Sequence, residues 1–366
     1  MHCKHENAGE GTKIIRKFMV NKKPYSKRSS IFAALQDDIS RELFDLRLEA
    51  HISGGIDFSG CIKSTVEQKK IDASQGLVLY GAGHLSGFVL HHAKADGFDI
   101  TCFCDSDPEK WGAECHGLPV ISPSRLMEDY SEHALLISTN YGYDEINNGL
   151  AALGFPMRQV IDWNWPTSKW PRSQNEHNQY FNETDTFLRP VKDEVFVDAG
   201  AYIGDTIERF LKFCGGGYKT IYAIEPNAQN FEKLKITTSE YANIVLINKG
   251  VWSSATTLQF NDGSTWGASI EKNGSSSIET ITIDELTAND VVTLIKMDVE
   301  GSELQALKGA AETIKRNKPR LAICIYNKLD DILTIPGYIL SLVPEYKLYI
   351  RHYSQIASET VLYAVM

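Results

Sequence analysis

Three phrases place carboxylates and glycines where apolar runs end: Phe196-Val-Asp-Ala-Gly-Ala-Tyr-Ile-Gly-Asp205, Ala223-Ile-Glu-Pro-Asn227 and Ile295-Lys-Met-Asp-Val-Glu-Gly-Ser-Glu-Leu-Gln-Ala-Leu-Lys-Gly-Ala310. A dinucleotide rests its pyrophosphate on the helix behind a glycine loop, so such a loop should lack carboxylates facing the ligand. Here Asp198 and Asp205 bracket Gly200 and Gly204, which suits a ligand carrying an ammonium and a sulfonium and points to S-adenosylmethionine. Asp205 also reads as a helix N-cap, with Glu208 completing a capping-box-like pair. Glu225 lies about twenty residues beyond the loop, where an acid accepts both ribose hydroxyls. Asp298 and Glu300 are the candidates to face the methyl group and take a proton from the attacking acceptor, with a scaffold or cofactor-binding role equally open to Asp298. Glu303 opens a helix whose Leu304, Leu307 and Ile314 form the buried stripe, so it reads as serving the helix dipole. His352, at the end of a later strand, is a third candidate base, against a structural role as a hydrogen-bonding spacer.

The elements that position these residues are nearly continuous apolar runs: 194–198, 220–225, 244–248, 292–298 and 320–326. Runs of that kind belong to parallel strands buried on both faces, whose ligands bind beyond the carboxyl ends. Residues 347–350 and 360–366 read as closing antiparallel strands, and 257–260 with 277–283 as a hairpin whose loop, rich in Gly and Ser and carrying Trp266, is a candidate acceptor lid or a solvated loop.

Upstream, the apolar run 76–80 leads into Gly81-Ala-Gly83 and a helix, and a second run, 98–103, leads to Asp105. This is a possible second nucleotide site, with Gly81, Gly83 and Asp105 as its residues. Ser86 stands at the third glycine position, so the glycines also read simply as allowing strand and helix to pack closely. Apolar segments 118–121, 134–138 and 159–161 continue a βαβ alternation. Before this unit, Ile31–Leu48 reads as one helix behind Ser29-Ser30, with Leu35, Ile39, Leu43 and Leu46 as its stripe and Gly54-Gly55 as its end. The expected organisation is an N-terminal tail and helical segment over 1–75, a Rossmann-like domain over 76–165, a Trp-, Pro- and Asn-rich linker over 166–190, and a methyltransferase domain over 191–366. The fold class is α/β, with two Rossmann-like domains, the second a seven-stranded sheet with terminal antiparallel strands.

The apolar fraction of 43% and charged fraction of 23% are those of a globular protein. A net charge of -10 argues against a nucleic-acid partner, whose phosphates demand clustered Lys and Arg. With no secretory signal and no apolar run long enough to span a bilayer, the expected location is cytoplasmic. Seven scattered cysteines fit reduced thiols. Zinc ligation by Cys102, Cys104, Cys115 and His116, or by His2, Cys3 and His5, lacks the usual ligand spacing, so no metal is assigned.

With the Asp-Val-Glu-Gly-x-Glu-x-x-x-Leu-x-Gly phrase, residues 191–366 resemble the FkbM family of S-adenosylmethionine-dependent methyltransferases. The resemblance implies S-adenosylmethionine as cofactor, held by Asp198, Gly200, Tyr202, Gly204, Asp205, Glu225, Pro226, Asn227, Gly250 and Asp298, and a hydroxyl on a sugar, glycan or small metabolite as acceptor. Relatives with the Tyr349-Ile-Arg-His-Tyr353 phrase often carry a histidine where this chain has Asn327, which cannot act as a base. Two further readings stay open: an NAD(P)-dependent oxidoreductase acting through the N-terminal unit, and a non-catalytic nucleotide or sugar sensor. The sequence leaves the oligomeric state undetermined.

Overall fold

The computed structural model describes residues 23–83, 85–139, 143–161, 170–171, 179–182, 184–260, 276–354 and 357–366. His2, Cys3, His5 and the candidate lid with Trp266 lie outside them.

Two sheet-containing units follow one another. The first comprises β1 (Leu77–Tyr80), β2 (Ile100–Cys104), β3 (Glu114–Cys115), β4 (Leu118–Ile121), β5 (Ala134–Ile137) and β6 (Val160–Ile161), in the order β3-β4-β2-β1-β5-β6. All its pairings are parallel except the β3–β4 hairpin. The second comprises β7 (Glu194–Ala199), β8 (Tyr218–Ile224), β9 (Ile244–Ile247), β10 (Gly250–Val251), β11 (Thr257–Phe260), β12 (Ser276–Ile281), β13 (Leu294–Met297), β14 (Arg320–Cys324), β15 (Lys347–His352) and β16 (Thr360–Val365). Seven of these form the sheet β15-β16-β14-β13-β7-β8-β9, and β10, β11 and β12 form a small sheet beside it. Only β16 runs antiparallel, wedged between β14 and β15. The seven-stranded sheet with antiparallel closure expected from the sequence is therefore observed, and the 257–260 hairpin pairs antiparallel as expected.

Why the apolar runs become central strands is visible in their side chains. Val195, Val197 and Ala199 point into one core, while Phe196 points into another against Phe210 and Phe181. Both faces are covered, so alternation in the sequence disappears. Each unit switches direction at its first strand: β1 lies between β2 and β5, and β7 between β8 and β13. A crevice opens at such a switch point, and both glycine loops begin there.

The expected single helix over 31–48 is two helices, Lys23–Ala34 and Asp38–Ser53. Leu35 leaves the helix to form a parallel bridge with Leu348 of β15, and Asp37 accepts from Ser40 N at 2.8 Å as the N-cap of the second helix. Tertiary pairing with a strand far along the chain outweighs local periodicity here. Of the expected stripe, Leu43 is buried but Ile39 is 45% exposed, and Phe44 and Leu48 are buried in its place. They join the core of the second sheet, as do Ile31 and Leu35. Gly54 ends the helix in the left-handed conformation, as expected.

Candidate functional site

β7 delivers Asp198 to the carboxyl edge of the second sheet and then turns sharply. Gly200 sits at φ 83, and a β-carbon there would lie 1.9 Å from the carbonyl oxygen of Asp298, so only glycine lets the two loops meet. The helix Asp205–Phe213 is capped by Gly204, which offers no side-chain bond, and Asp205 stands one residue inside, paired with Arg209 at 3.1 Å. The capping box expected of Asp205 and Glu208 is thus not formed, because a left-handed glycine occupies the cap. Tyr202, 53% exposed, points outward while its N–H donates to Glu225 Oε2 at 3.0 Å.

Glu225 follows β8, and its other oxygen accepts from Asn227 N at 2.9 Å. Burial raises its carboxyl above the usual range, opposed by these two N–H donors. The carboxylate is therefore fixed in direction beside the glycine loop. Asn227 caps the helix Ala228–Thr237 through its Oδ1, and Pro226 O accepts from Asn248 Nδ2 at 3.1 Å. Gly250, in β10, has no room for a β-carbon against Ile278 Cδ1, which would lie 2.9 Å away.

Asp198 does not open toward a ligand. It is 0% exposed and pairs with Lys296 of β13 at 3.1 Å. Burial pushes its carboxyl up to about 6 despite that partner. Lys296 also donates to Gly200 O at 2.6 Å and lies over the Tyr180 ring. Burial disfavours its charge, but Asp198 and Asp298 hold it above the ordinary lysine value. The pair ties β7, its loop and β13 together, so Asp198 shapes the loop from beneath while Glu225 presents the carboxylate.

Asp298 follows β13 and accepts from Tyr180 Oη at 3.0 Å and from Tyr326 Oη at 3.1 Å on each oxygen. Glu300 follows at φ 51 and Gly301 at φ 86. Glu300 keeps solvent on one side, yet the surrounding protein, and then the Asp298 charge, raise its carboxyl to about 7. Glu303 holds this unusual loop: its Oε1 accepts from Val299 N at 3.0 Å, Gly301 N at 3.3 Å and Asn327 Nδ2 at 2.8 Å. Its role is wider than the expected service to the helix dipole, since it fills the loop's own N–H groups. Asn327 completes the same network.

His352 is fully buried, its Nδ1 2.8 Å from Thr360 Oγ1 and its ring 5.2 Å from that of Trp170. It joins β15 to β16 and has no surface toward an acceptor, which corrects its candidacy as a base. Arg47, from the helix Asp38–Ser53, bonds Ala357 O and Thr360 Oγ1 from the other side.

Lys296, Tyr180 and Tyr326, which meet Asp198 and Asp298 at this edge, were not among the candidates read from the sequence. Lys296 alone carried a signal, as an ammonium within an otherwise apolar strand that must find a partner. Tyr180 and Gln179 come from the segment expected to be linker.

In the first unit, Asp105 is already filled. Its carboxylate accepts from Ala82 N at 2.8 Å, Asp107 N at 2.9 Å and Lys110 Nζ at 3.0 Å. Burial opposes ionisation there, but these donors hold the carboxyl below its usual value. Gly81 packs against Ser138, and Gly83 O accepts from Ser86 Oγ at 2.6 Å. Gly87 lies against His116, whose ring would be 2.9 Å from a β-carbon there. Among the described residues no group of three or more His, Cys, Asp or Glu is arranged to hold a metal, and Cys102 and Cys104 are buried in the core.

Residues 198–346 match the methyltransferase FkbM domain. The hexuronic acid methyltransferase AglP of Haloferax volcanii is 30% identical over 132 residues, 34% of this chain and 53% of that protein. The chain thus spans about half the length of this curated relative. The crystal structure of methyltransferase FkbM from Methylobacillus flagellatus KT has the same fold at 21% identity, with a TM-score of 0.53, covering 93% of this chain and 100% of that one. Among the described residues no helix is long and apolar enough to cross a membrane.

Proposed function

From residues 198–346 being an FkbM methyltransferase domain, we propose that this chain transfers a methyl group from S-adenosylmethionine to a hydroxyl of a sugar, glycan or small metabolite. The observation that carries the reading is the Glu225 carboxylate, locked by Tyr202 N and Asn227 N beside the loop of Gly200 and Gly204. A vicinal diol needs a bidentate acceptor fixed in direction, and backbone N–H groups fix it without neutralising it. The donor set also suits a cationic ligand: Asp298, Glu300 and Glu225 gather around the crevice, and the buried ammonium of Lys296 is committed to Asp198. When bound, S-adenosylmethionine supplies an electrophilic methyl on a sulfonium. The chain's part is to orient the ribose through Glu225, exclude pyrophosphate by charge and hold the acceptor oxygen in line. The sugar methylation named for the Haloferax relative supports a glycan acceptor.

The test is calorimetric titration with S-adenosylhomocysteine and with NADH, on wild type and Glu225→Ala. Binding of the first ligand alone, weakened about tenfold or more by loss of charge-assisted hydrogen bonds, is expected. Absence of S-adenosylhomocysteine binding, or indifference to the substitution, would remove the reading.

A further inference from the structure

Glu359 stands one residue before β16 at φ 59, outside every motif. The β14–β16 register brings it to the site: Cys324 pairs with Val361, and Ile325 N donates to Thr360 O at 3.0 Å. Continuing that register sets Glu359 beside Tyr326, whose hydroxyl is bonded to Asp298. Gln179 Nε2 donates to Glu359 Oε2 at 2.5 Å, and among the described residues no donor reaches Oε1. Asp298 differs, with a tyrosine hydroxyl on each oxygen. The two carboxylates are thus equipped for different work, one held as an acceptor of structural hydrogen bonds and one with an oxygen to spare.

We propose that Glu359 is the base of methyl transfer: its Oε1 takes the proton of the acceptor hydroxyl as that oxygen bonds the methyl carbon. The carbon–sulfur bond breaks with its electron pair kept by sulfur, which leaves a neutral thioether, and the proton passes from Glu359 to solvent. The assignment rests on the methyltransferase reading above. Gln179 is a positioning residue, fixing the carboxylate from the far oxygen. The charged and titratable groups around Glu359 are Lys296, Asp298 and Glu300 from β13 and its loop, Cys324 and Tyr326 from β14 and its continuation, and Tyr180 beside Gln179. Burial, then the Asp298 charge, push the Glu359 carboxyl up to about 7, while Gln179 and Lys296 oppose. A base works best when its affinity for protons matches the working pH.

The test has a readout that needs no turnover. Infrared titration of the protein alone through the neutral range should show one carboxyl fewer in Glu359→Gln than in wild type. Affinity for S-adenosylhomocysteine should stay within about twofold, since the substitution spares Glu225 and its donors. With methyl glucoside and methyl glucuronoside as acceptor probes, kcat should fall about 100-fold or more and the acid limb of its pH profile disappear. Glu359→Asp, which keeps the charge and shortens its reach, should recover part of kcat and restore that limb. An unchanged set of titrating carboxyls, or wild-type turnover in Glu359→Gln, overturns the assignment. Wild-type protein that binds no S-adenosylhomocysteine overturns the methyltransferase reading, and this assignment with it.

Discussion

Neutralising Glu303 should stabilise the protein above neutral pH and leave it unchanged in acid. The residue is 0% exposed, and its Oε2 has no hydrogen-bond partner among the described residues. Burial, then the Asp298 charge, push its carboxyl from the ordinary 4.5 up to about 7. A raised value means that the native state binds the proton more tightly than the unfolded chain. The stability from that proton is complete below about 4.5 and is lost as pH rises through about 7. At about 1.4 kcal/mol per pH unit, the gap corresponds to on the order of 3 kcal/mol. Glu303→Gln keeps a carbonyl oxygen for Val299 N, Gly301 N and Asn327 Nδ2 and carries no charge at any pH. Urea unfolding at about pH 4 and about pH 8 should therefore give nearly equal stability at the first and a gain on the order of 3 kcal/mol at the second. Glu303→Ala separates the two functions of the side chain. It leaves three donors without their acceptor, at about 1–3 kcal/mol for each that stays buried, so it should destabilise at both pH values. A difference between wild type and Glu303→Gln that stays constant across the range would refute the idea that the buried carboxyl titrates with folding.

Gly200→Ala should abolish S-adenosylhomocysteine binding and lower Tm by several degrees or more, because the new methyl would meet Asp298 O at 1.9 Å in a backbone conformation unfavourable for alanine. A variant that binds normally would mean that the two loops separate more easily than their packing implies. Glu194→Ala removes the carboxylate that takes Arg320 Nη2 at 2.6 Å on both oxygens beneath the sheet. Denaturant midpoints should report a loss of about 3 kcal/mol or more from a largely enclosed guanidinium left with only the carbonyls of Thr293 and Arg189 as acceptors, and a loss below about 1 kcal/mol would show that water replaces the carboxylate.

The sheets were legible because burial on both faces leaves continuous apolar runs, and Glu225 was legible because the distance from a glycine loop to the end of the next parallel strand is nearly fixed by the βαβ unit. Other residues are placed by contacts that leave no local pattern. The helix break at Leu35 exists because β15 offers Leu348 as a partner, and Gln179 and Tyr180 arrive from a stretch without period. Glu359 reaches the crevice only through the antiparallel register of a strand inserted after its neighbours in the chain. Lys296 marks the boundary between the two cases. An ammonium inside a strand otherwise as apolar as β13 cannot be buried unpaired, and parallel neighbours bring the ends of their strands to one edge. Lys296 pairs in register with Asp198, so the bond between them follows from two strand assignments and one rule about charge. The same rule accounts for where Asp198 lies: it is enclosed with the lysine it neutralises, and Glu225, Asp298 and Glu300 are carboxylates that remain beside the crevice.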